Sequence, residues 1–270
     1  MRVRISGSSS DTAELLMGIK GAARRIRFDS RRDRFNIPHS LKTSIRRDLN
    51  ANYIKVNGEN IAIATQYPYH HQLEAHLQLL VDNRTPVLVV LASNKDIVED
   101  QMPDYFSVSG IYGAITVTST LTGKVDLTDS IEAKTYNLDI DGYQTNLTVP
   151  VIHVHNWPDH HTITPANTEK LIIMIESVLL ERRSFYTKRK SRAVSDPDKL
   201  LPVVHCRAGV GRTGQTIAAM AMRKHPKLSL ASITKDLRVS RNDYMIQTTI
   251  QMETLVQIGL ETKNKDFGVE

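Results

Sequence analysis

One segment, Val203 to Gln215, constrains the fold more than any other part of the chain. It reads VVHCRAGVGRTGQ: an apolar strand, a turn with two glycines, and the start of a helix. A turn of this kind can aim successive backbone N–H groups at one point, beside the positive N-terminal end of the helix. The segment therefore predicts an α/β domain with an anion-binding loop where a buried strand ends.

The side chains of this loop indicate a chemistry for the bound anion. Cys206, the only cysteine of the chain, lies where the N–H groups and the helix dipole favour its thiolate, the nucleophilic form. Arg212 can hold two phosphate oxygens with its planar guanidinium. Thr213 can donate a hydrogen bond to the sulfur when it leaves, and His205 can orient the loop. The alternative, a buried structural cysteine, leaves the surrounding glycines, arginine and threonine unexplained.

The loop resembles the signature of the cysteine-dependent protein tyrosine phosphatases. Other segments resemble the catalytic domains of family members that bacteria inject into host cells by type III secretion: DLNANYI (48–54), NRTPVL (83–88), MPDYF (102–106), YGAITV (112–117), VPVIHVHNWPD (149–159) and LRVSRN (237–242). The resemblance implies a phosphate-binding loop formed by Arg207, Ala208, Gly209, Val210, Gly211 and Arg212.

The resemblance also carries expectations for the whole molecule. It implies an α/β (α+β) fold with a mixed, largely central twisted sheet flanked by helices, the protein tyrosine phosphatase fold. It implies hydrolysis of phosphotyrosine in proteins through a phosphocysteine intermediate, with no metal and no cofactor. It further implies a monomeric effector secreted by a bacterium into the host cell cytoplasm. Its partners would be phosphotyrosine-containing host signalling proteins and a secretion chaperone bound to the N-terminal segment.

Composition and charge bound the remaining possibilities. Hydrophobic residues make up 40% and charged residues 24% of the chain, as in ordinary soluble domains. One cysteine cannot form an internal disulfide, which favours a reducing compartment. The sequence contains no apolar run of membrane-spanning length, no Sec-type signal peptide and no nucleic-acid-binding motif. We therefore expect neither a membrane span nor a nucleic-acid partner.

The net charge of +6 is concentrated in two basic runs, 24–35 and 181–192. Solvated basic surface is the simpler interpretation of both runs. The alternative is attraction to an acidic partner, such as a phosphorylated protein or an anionic lipid.

Residue patterns divide the chain into two parts. Residues 1–34 form a basic, polar segment that we expect to be partly disordered, and residues 35–265 form the expected catalytic domain. Apolar and alternating runs predict strands at 53–56, 61–64 (after an Asn57-Gly58 turn), 87–91, 111–118, 133–140, 146–155 and 201–205. Helical spacing and caps predict helices at 72–81, from Thr164 and Pro165 onward, from about 212, at 229–239 and at 248–260.

A second short motif, Trp157-Pro158-Asp159, supplies a candidate general acid. Attack on phosphotyrosine needs an acid to protonate the leaving phenolate, and hydrolysis of the phosphocysteine needs a base. The motif resembles the mobile acid loop of the family, which implies both roles for Asp159 and closure over the substrate for Trp157. Pro-Asp in a polar turn is common by itself, so the catalytic interpretation depends on the cysteine loop.

Gln247 and Gln251 resemble a pair of glutamines in the family. The resemblance implies that Gln251 positions the hydrolytic water and that Gln247 assists in holding it. Residues 248–251 also match a capping box, in which the glutamine bonds back to the N-cap backbone. We favour the water-positioning role, because the spacing from Arg238 and Arg241 to these glutamines also matches that of the family.

Two places depart from the family pattern. Asp96 stands where the family has a glutamate that pairs with the phosphate-binding arginine, and its shorter side chain predicts a looser or water-mediated pairing with Arg212. Phe35 and Asn36 stand in a phosphotyrosine-recognition loop shortened by one residue. We expect Phe35 to flank the phenyl ring of the substrate and Asn36 to accept a backbone N–H bond without contributing a charge.

Two other functions and a metal site are alternatives. Family members that bind phosphotyrosine without turnover lack the cysteine, the arginine or the acid, and all three are present here. Phosphatases directed at phosphoinositides carry extra lysines in the loop, and RAGVG has none. The histidines at 153, 155, 160 and 161 could indicate a metal site, but no carboxylate or cysteine completes a recognised spacing. We therefore expect these histidines to be surface or hydrogen-bonded groups.

Overall fold

The computed structural model describes residues 8–128, 130–190 and 192–266, without the side chains of 264–266. Its strands are β1 Arg25–Ile26, β2 His39–Ser40, β3 Ala51–Val56, β4 Glu59–Thr65, β5 Leu88–Val90, β6 Gly110–Tyr112, β7 Ile115–Asp126, β8 Glu132–Asp141, β9 Leu147–Val154 and β10 Val203–His205. Its helices are α1 Ser9–Met17, α2 Leu73–Asp82, α3 Asn94–Glu99, α4 Pro165–Lys188, α5 Gly211–Lys224, α6 Leu230–Ser240 and α7 Thr249–Asp266, with short 3-10 helices at His70–Gln72 and Pro197–Lys199.

An eight-stranded sheet, in the order β3-β4-β10-β5-β9-β8-β7-β6, forms the centre of the molecule. The four strands β4, β10, β5 and β9 run parallel to one another. The pairs on either side of them are antiparallel, β3 with β4 at one edge and β9, β8, β7 and β6 toward the other. The mixed central sheet expected from the sequence is confirmed.

Helices cover both faces of this sheet. Because successive residues of a strand point to opposite faces, Val89 and Val204 pack into one core with α4, α5, α6 and α7. Val90 and Val203 pack into a second core with α2 on the other face. Burial on both sides explains why β5 and β10 are continuous apolar runs in the sequence.

Local sequence signals start several elements where they were predicted. Asn57 and Gly58 have φ values of 53° and 79°, as a two-residue hairpin turn between β3 and β4 requires. Thr164 caps α4, since its hydroxyl accepts the N–H of Asn167 at 3.1 Å, and Pro165 occupies the first helical position.

The segment 111–118, predicted as one strand, is instead a hairpin. β6 ends at Tyr112, Gly113 turns the chain with a φ of 61°, and β7 begins at Ile115. The apolar and β-branched residues on both sides continue the strand pattern across the turn, and a single glycine marks it. The short helix α3 was also not predicted, because six residues are too few for a periodic signal.

The described part of the N-terminal segment, residues 8–34, folds against the rest of the chain. Helix α1 begins with a capping box, and Ala13 on this helix is fully buried in the core. Farther along, the backbone N–H of Gly21 donates to Asp243 at 2.7 Å. Side chains of the segment also bind the rest of the chain, since Arg25 donates to the carbonyls of Arg238 and Arg241. Hydrogen bonds of this kind leave no strong apolar pattern in the sequence. Residues 1–7 lie outside the described residues.

The basic run 181–192 forms the last turns of α4 and the residues after it, and its residue 191 lies outside the described part of the chain. Arg182 donates to the carbonyl of Thr148 at 2.9 Å and lies 5.0 Å from the ring centre of Phe185. In the part of the chain that the structure describes, no helix is both long and apolar enough to cross a membrane.

Candidate active site

The cysteine loop lies at the carboxyl ends of the parallel strands. β10 ends at His205 between β4 and β5, and α5 begins at Gly211. Gly209, between them, has a φ of 72°, and a Cβ atom there would lie 2.0 Å from the carbonyl oxygen of Thr65. Only glycine fits this position, because both the backbone conformation and the close approach exclude a side chain.

Cys206 lies in a cavity of about 200 Å³. Eight sequence-predicted site residues line it: Phe35, Asp159, Cys206, Arg207, Ala208, Val210, Gly211 and Gln247. Two residues that the sequence reasoning missed complete the lining, Ile37 and His160. The other predicted residues are not part of the lining: Asn36, Asp96, Trp157, His205, Gly209, Arg212, Thr213 and Gln251.

Two groups behind the loop contact Cys206 directly. The hydroxyl of Thr213 donates to the sulfur at 3.2 Å. Nδ1 of His205 lies 3.0 Å from the carbonyl oxygen of Cys206, and because a carbonyl can only accept, Nδ1 carries the proton. Nε2 of His205 then accepts from the hydroxyl of Tyr105 at 2.6 Å. Burial lowers the pKa of His205 to about 4, so the ring is neutral at physiological pH and fixed in one tautomer.

A fully buried arginine, Arg241, shapes the loop from outside the cavity. Its Nε donates to the carbonyl of Gly209 at 2.7 Å and its Nη2 to the carbonyl of Ala208 at 3.0 Å. Nη1 donates to the side chain of Asn52 at 2.9 Å. These bonds hold the two loop carbonyls toward Arg241. The sequence analysis used Arg241 only to judge the spacing to the two glutamines. The segment LRVSRN, which contains Arg241 and resembles the family, was the one indication of its structural role.

Arg212 is fully buried and held by three acceptors. Its Nη1 donates to Asp96 at 2.6 Å and to the carbonyl of Trp157 at 2.8 Å, and its Nη2 donates to Asp159 at 3.0 Å. Nε, also buried, has no hydrogen-bond partner among the described residues. A buried guanidinium N–H is costly to leave unpaired, so Nε is the atom of Arg212 that still needs an acceptor.

The pairing of Asp96 with Arg212 is direct, and the looser or water-mediated pairing that we predicted is wrong. Asp96 is the third residue of α3, where it forms a capping box with Ser93. The box aims the short carboxylate at the arginine, so no extra methylene is needed. Burial raises the pKa of Asp96, but Arg212 and the hydrogen bonds with Ser93 outweigh burial and hold it below its ordinary value.

The acid loop is closed over the cavity. Asp159 lines the cavity and also contacts Nη1 of Arg207 at 3.3 Å. The side chain of Trp157 is fully buried in the core, and its indole N–H donates to the carbonyl of His161 at 2.8 Å. Trp157 therefore contacts Arg212 through its carbonyl, and its buried ring does not line the cavity.

The two glutamines differ in what they contact. Gln251 is fully buried; its Oε1 accepts the N–H groups of Gln247 and Thr248 at 3.0 and 3.2 Å, and its Nε2 donates to the carbonyl of His161 at 3.1 Å. The hydroxyl of Thr248 accepts the N–H of Gln251 at 3.4 Å, so the capping box that was the alternative is present. Gln247, by contrast, lines the cavity.

An aromatic ring forms one side of the cavity. Phe35 lies there, with the guanidinium of Arg207 at 5.1 Å from its ring centre. Asn36 is exposed, and no hydrogen bond of its side chain is described. Ile37, and not Asn36, lines the cavity beside Phe35.

The four histidines considered as a metal site have separate neighbours. Nε2 of His153 lies 2.8 Å from the carbonyl of Ala92, and His155 lies 3.1 Å from Glu132. His160 is 58% exposed and lies beside Asp159. Over the described residues, no three His, Cys, Asp or Glu side chains come together as a metal site would require.

Sequence comparison links the chain to a known family. The family model for protein-tyrosine phosphatase matches residues 33–261. The tyrosine-protein phosphatase YopH of Yersinia enterocolitica is 45% identical over 222 residues, which cover 80% of this chain and 47% of YopH. The secreted effector protein SptP of Salmonella typhi is 31% identical over 206 residues, which cover 76% of this chain and 36% of SptP. The chain thus spans less than half the length of these curated relatives.

Structural comparison agrees with the sequence match. The catalytic domain of human protein tyrosine phosphatase non-receptor type 18 superposes with a TM-score of 0.65 at 22% identity, over 86% of this chain and 84% of that domain. At this identity the likeness concerns the fold alone. Taken with the match that spans most of the sequence, it means that the chain belongs to the protein-tyrosine phosphatase family.

Proposed function

We propose that the chain hydrolyses phosphotyrosine in proteins through a phosphocysteine intermediate. The observation that carries this proposal is the arrangement around Cys206. Thr213 donates to its sulfur, the open Nε of Arg212 is buried behind the loop, and Asp159 lies in the same cavity. The nucleophile and the proton donor thus line one cavity, and the phosphate anchor Arg212 contacts that proton donor.

The first chemical step forms a bond from the Cys206 sulfur to phosphorus. The bond from phosphorus to the phenolic oxygen breaks, and Asp159 gives its proton to that oxygen so that a neutral phenol leaves. The loop N–H groups and Arg212 stabilise the charge on the phosphoryl oxygens.

The second step returns the enzyme to its starting state. Asp159, now a carboxylate, takes a proton from a water that attacks phosphorus, and the sulfur leaves as a thiolate stabilised by the hydroxyl of Thr213. We assign the positioning of this water to Gln247, which lines the cavity. Gln251 supports it by holding its backbone N–H. This assignment reverses the order that the resemblance implied. Protein groups supply every role, so we propose that the reaction uses neither a metal nor a cofactor.

The substrate class follows from the shape of the site and from its relatives. Phe35 at the side of the cavity is suited to stack on a phenyl ring. The fold neighbour PTPN18 has been solved with a HER2 phosphopeptide bound, at a TM-score of 0.71 to this chain. We therefore propose phosphotyrosine-containing proteins as substrates. We expect phosphoserine to react poorly, because its shorter side chain brings the phosphate less far toward Cys206.

The similarity to YopH and SptP supports a bacterial effector that acts in the host cell cytoplasm on host signalling proteins. We propose a monomeric catalytic domain at 35–265, preceded by the basic segment 1–34, where a secretion chaperone would bind. The alternative of a phosphotyrosine-binding module that does not turn over is disfavoured, because the cysteine, the arginine and the acid that such modules lose are all present, and Arg212 contacts Asp159.

The test is phosphate release from matched phosphotyrosine and phosphoserine peptides, with Cys206→Ser as the control. We expect fast release from the phosphotyrosine peptide alone, abolished by the substitution and unchanged by a metal chelator. Tight binding of the phosphotyrosine peptide without release would instead favour the binding module.

A further inference from the structure

The structure gives a role to a carboxylate that does not line the active-site cavity. We propose that Asp100 is a positioning residue, which fixes Arg207 so that Arg207 holds the general acid Asp159 over the substrate. The proposal deepens the proposed function and rests on it. It concerns the acid loop, and it leaves the nucleophile and the phosphate anchor as described.

Helix α3 offers two carboxylates to two arginines of the cysteine loop. Asp96 lies in its first turn and Asp100 at its C-cap, four residues later, where side chains of a helix lie one above the other. Asp96 pairs with Arg212, and Asp100 forms an ion pair with Nε of Arg207. Both arginines in turn contact the carboxylate of Asp159. The two carboxylates of α3 therefore pair with the two arginines that contact the acid.

Arg207 needs this support because a long, partly exposed side chain can adopt several rotamers. It is 31% exposed, and an arginine of this kind loses substantial rotamer freedom when it is fixed. The positive charge of Arg34 lies near enough to repel it. Asp100 forms an ion pair with its Nε, which has no hydrogen-bond partner among the described residues. The ring of Phe35 lies 5.1 Å from its guanidinium carbon. Between them, the carboxylate and the ring direct Nη1 at Asp159.

The contact of Asp159 with Arg207 is the one that can persist during the reaction. Nη1 of Arg212 is occupied by Asp96 and by the carbonyl of Trp157. A phosphate must therefore bind the remaining edge of Arg212, Nε and Nη2, and Nη2 is the atom that now contacts Asp159. When a phosphate oxygen takes Nη2, Arg207 remains as the arginine that holds the acid.

The experiment compares Asp100→Asn with Glu99→Gln on two substrates. Glu99 is the adjacent residue, 61% exposed and paired only loosely with Lys95 at 3.8 Å, so its substitution removes a charge from the same helix without touching the arginines. One substrate is a phosphotyrosine peptide, whose phenolate leaves poorly without a proton. The other is p-nitrophenyl phosphate, whose phenolate is more stable and depends less on the acid.

We expect Asp100→Asn to lower kcat/KM for the phosphotyrosine peptide by about fivefold, the size of a partly exposed ion pair, and to change p-nitrophenyl phosphate turnover by less than about twofold. Glu99→Gln should leave both values unchanged. Asp100→Glu should restore most of the loss, because its carboxylate still reaches Nε of Arg207. In an Arg207→Gln background, Asp100→Asn should have no further effect, because the route through Arg207 is already lost.

Several outcomes would overturn the proposal. Equal losses on both substrates would mean that Asp100 supports the site as a whole and not the acid. A loss that persists in the Arg207→Gln background would remove Arg207 from the explanation, and full activity of Asp100→Asn would remove Asp100. In each case the wild type still releases phosphate from the peptide, so the proposed function stands. A wild type without activity on either substrate would overturn that function together with this proposal.

Discussion

Replacing Asp96 with asparagine removes one negative charge and almost no volume. Asparagine can still cap α3, so the helix should persist, but Arg212 then loses its charged acceptor in a fully buried position. Arg212 keeps the carbonyl of Trp157 and the carboxylate of Asp159. The substitution therefore measures how much one carboxylate paired with a buried guanidinium contributes to the free energy of unfolding.

The expected loss of stability is about 2–3 kcal/mol at neutral pH. A hydrogen bond to a charged group contributes about 1.5–3 kcal/mol, and breaking a wholly buried ion pair costs about 3–5 kcal/mol. The case of Asp96 lies in the upper part of the first range and below the second, because its side chain is 12% exposed and Arg212 retains other acceptors.

The loss should also depend on pH. The pKa of Asp96 is lower in the folded chain than its ordinary value of 3.8, so the unfolded chain takes up the proton first as the pH falls. The stabilisation by Asp96 is complete above the unfolded pKa and is lost as the pH falls through the folded one. The variant has no such carboxylate, so the difference between the two proteins should shrink in acid.

Urea unfolding of wild type, Asp96→Asn and the exposed control Glu99→Gln, from pH 7 down to about pH 3, measures both effects. A difference below about 0.5 kcal/mol at pH 7 would refute the reasoning, since Arg212 would then be stable without its charged partner. A difference that stays constant through the acid range would refute the assignment of the effect to ionised Asp96.

Three further predictions follow from the same contacts. Thr213→Ala should slow breakdown of the phosphocysteine about tenfold, seen as accumulated intermediate in rapid quench, because the leaving thiolate loses one hydrogen bond; an unchanged rate would contradict this. Gln251→Ala should lower the unfolding midpoint by several degrees, since two N–H groups lose their acceptor, whereas Gln247→Ala should lower kcat at an unchanged midpoint; the reverse pattern would restore the order that the resemblance implied. Since burial lowers the pKa of His205 to about 4, unfolded chains bind its proton first as the pH falls below about 6.5, and stability should decrease from there to about 4. His205→Asn should flatten the dependence of the free energy of unfolding on pH in this range, measured by urea unfolding, and an unaltered slope would count against this role of His205.

The cysteine loop could be predicted because its determinants are adjacent in sequence. The apolar strand, the glycine that must adopt a positive φ and the polar residues after it follow one another without interruption, so local rules suffice. The same holds for the turn at Asn57 and Gly58 and for the cap at Thr164, where a few neighbouring residues decide the backbone conformation.

The contacts that the sequence could not give are set by separate segments. The reach of Asp96 depends on the capping box of α3, which the sequence does not reveal because the helix is so short. The partners of Gln251 include a carbonyl of the acid loop, about ninety residues away along the chain. The pairing of Asp100 with Arg207 is likewise a product of tertiary structure, and an aspartate followed by glutamine and methionine gives no sign of it.

The position of β10 has a consequence for how the molecule assembles. This strand lies between β4 and β5, yet it is synthesised long after both, so two strands that are close in sequence must leave room for one that is distant. Contacts of such long range slow folding, and they leave two unpaired edges exposed until the last third of the chain arrives. The nucleophile follows directly after the inserted strand, so a partly synthesised chain has no reactive thiol, and heat inactivation should coincide with the loss of the central sheet.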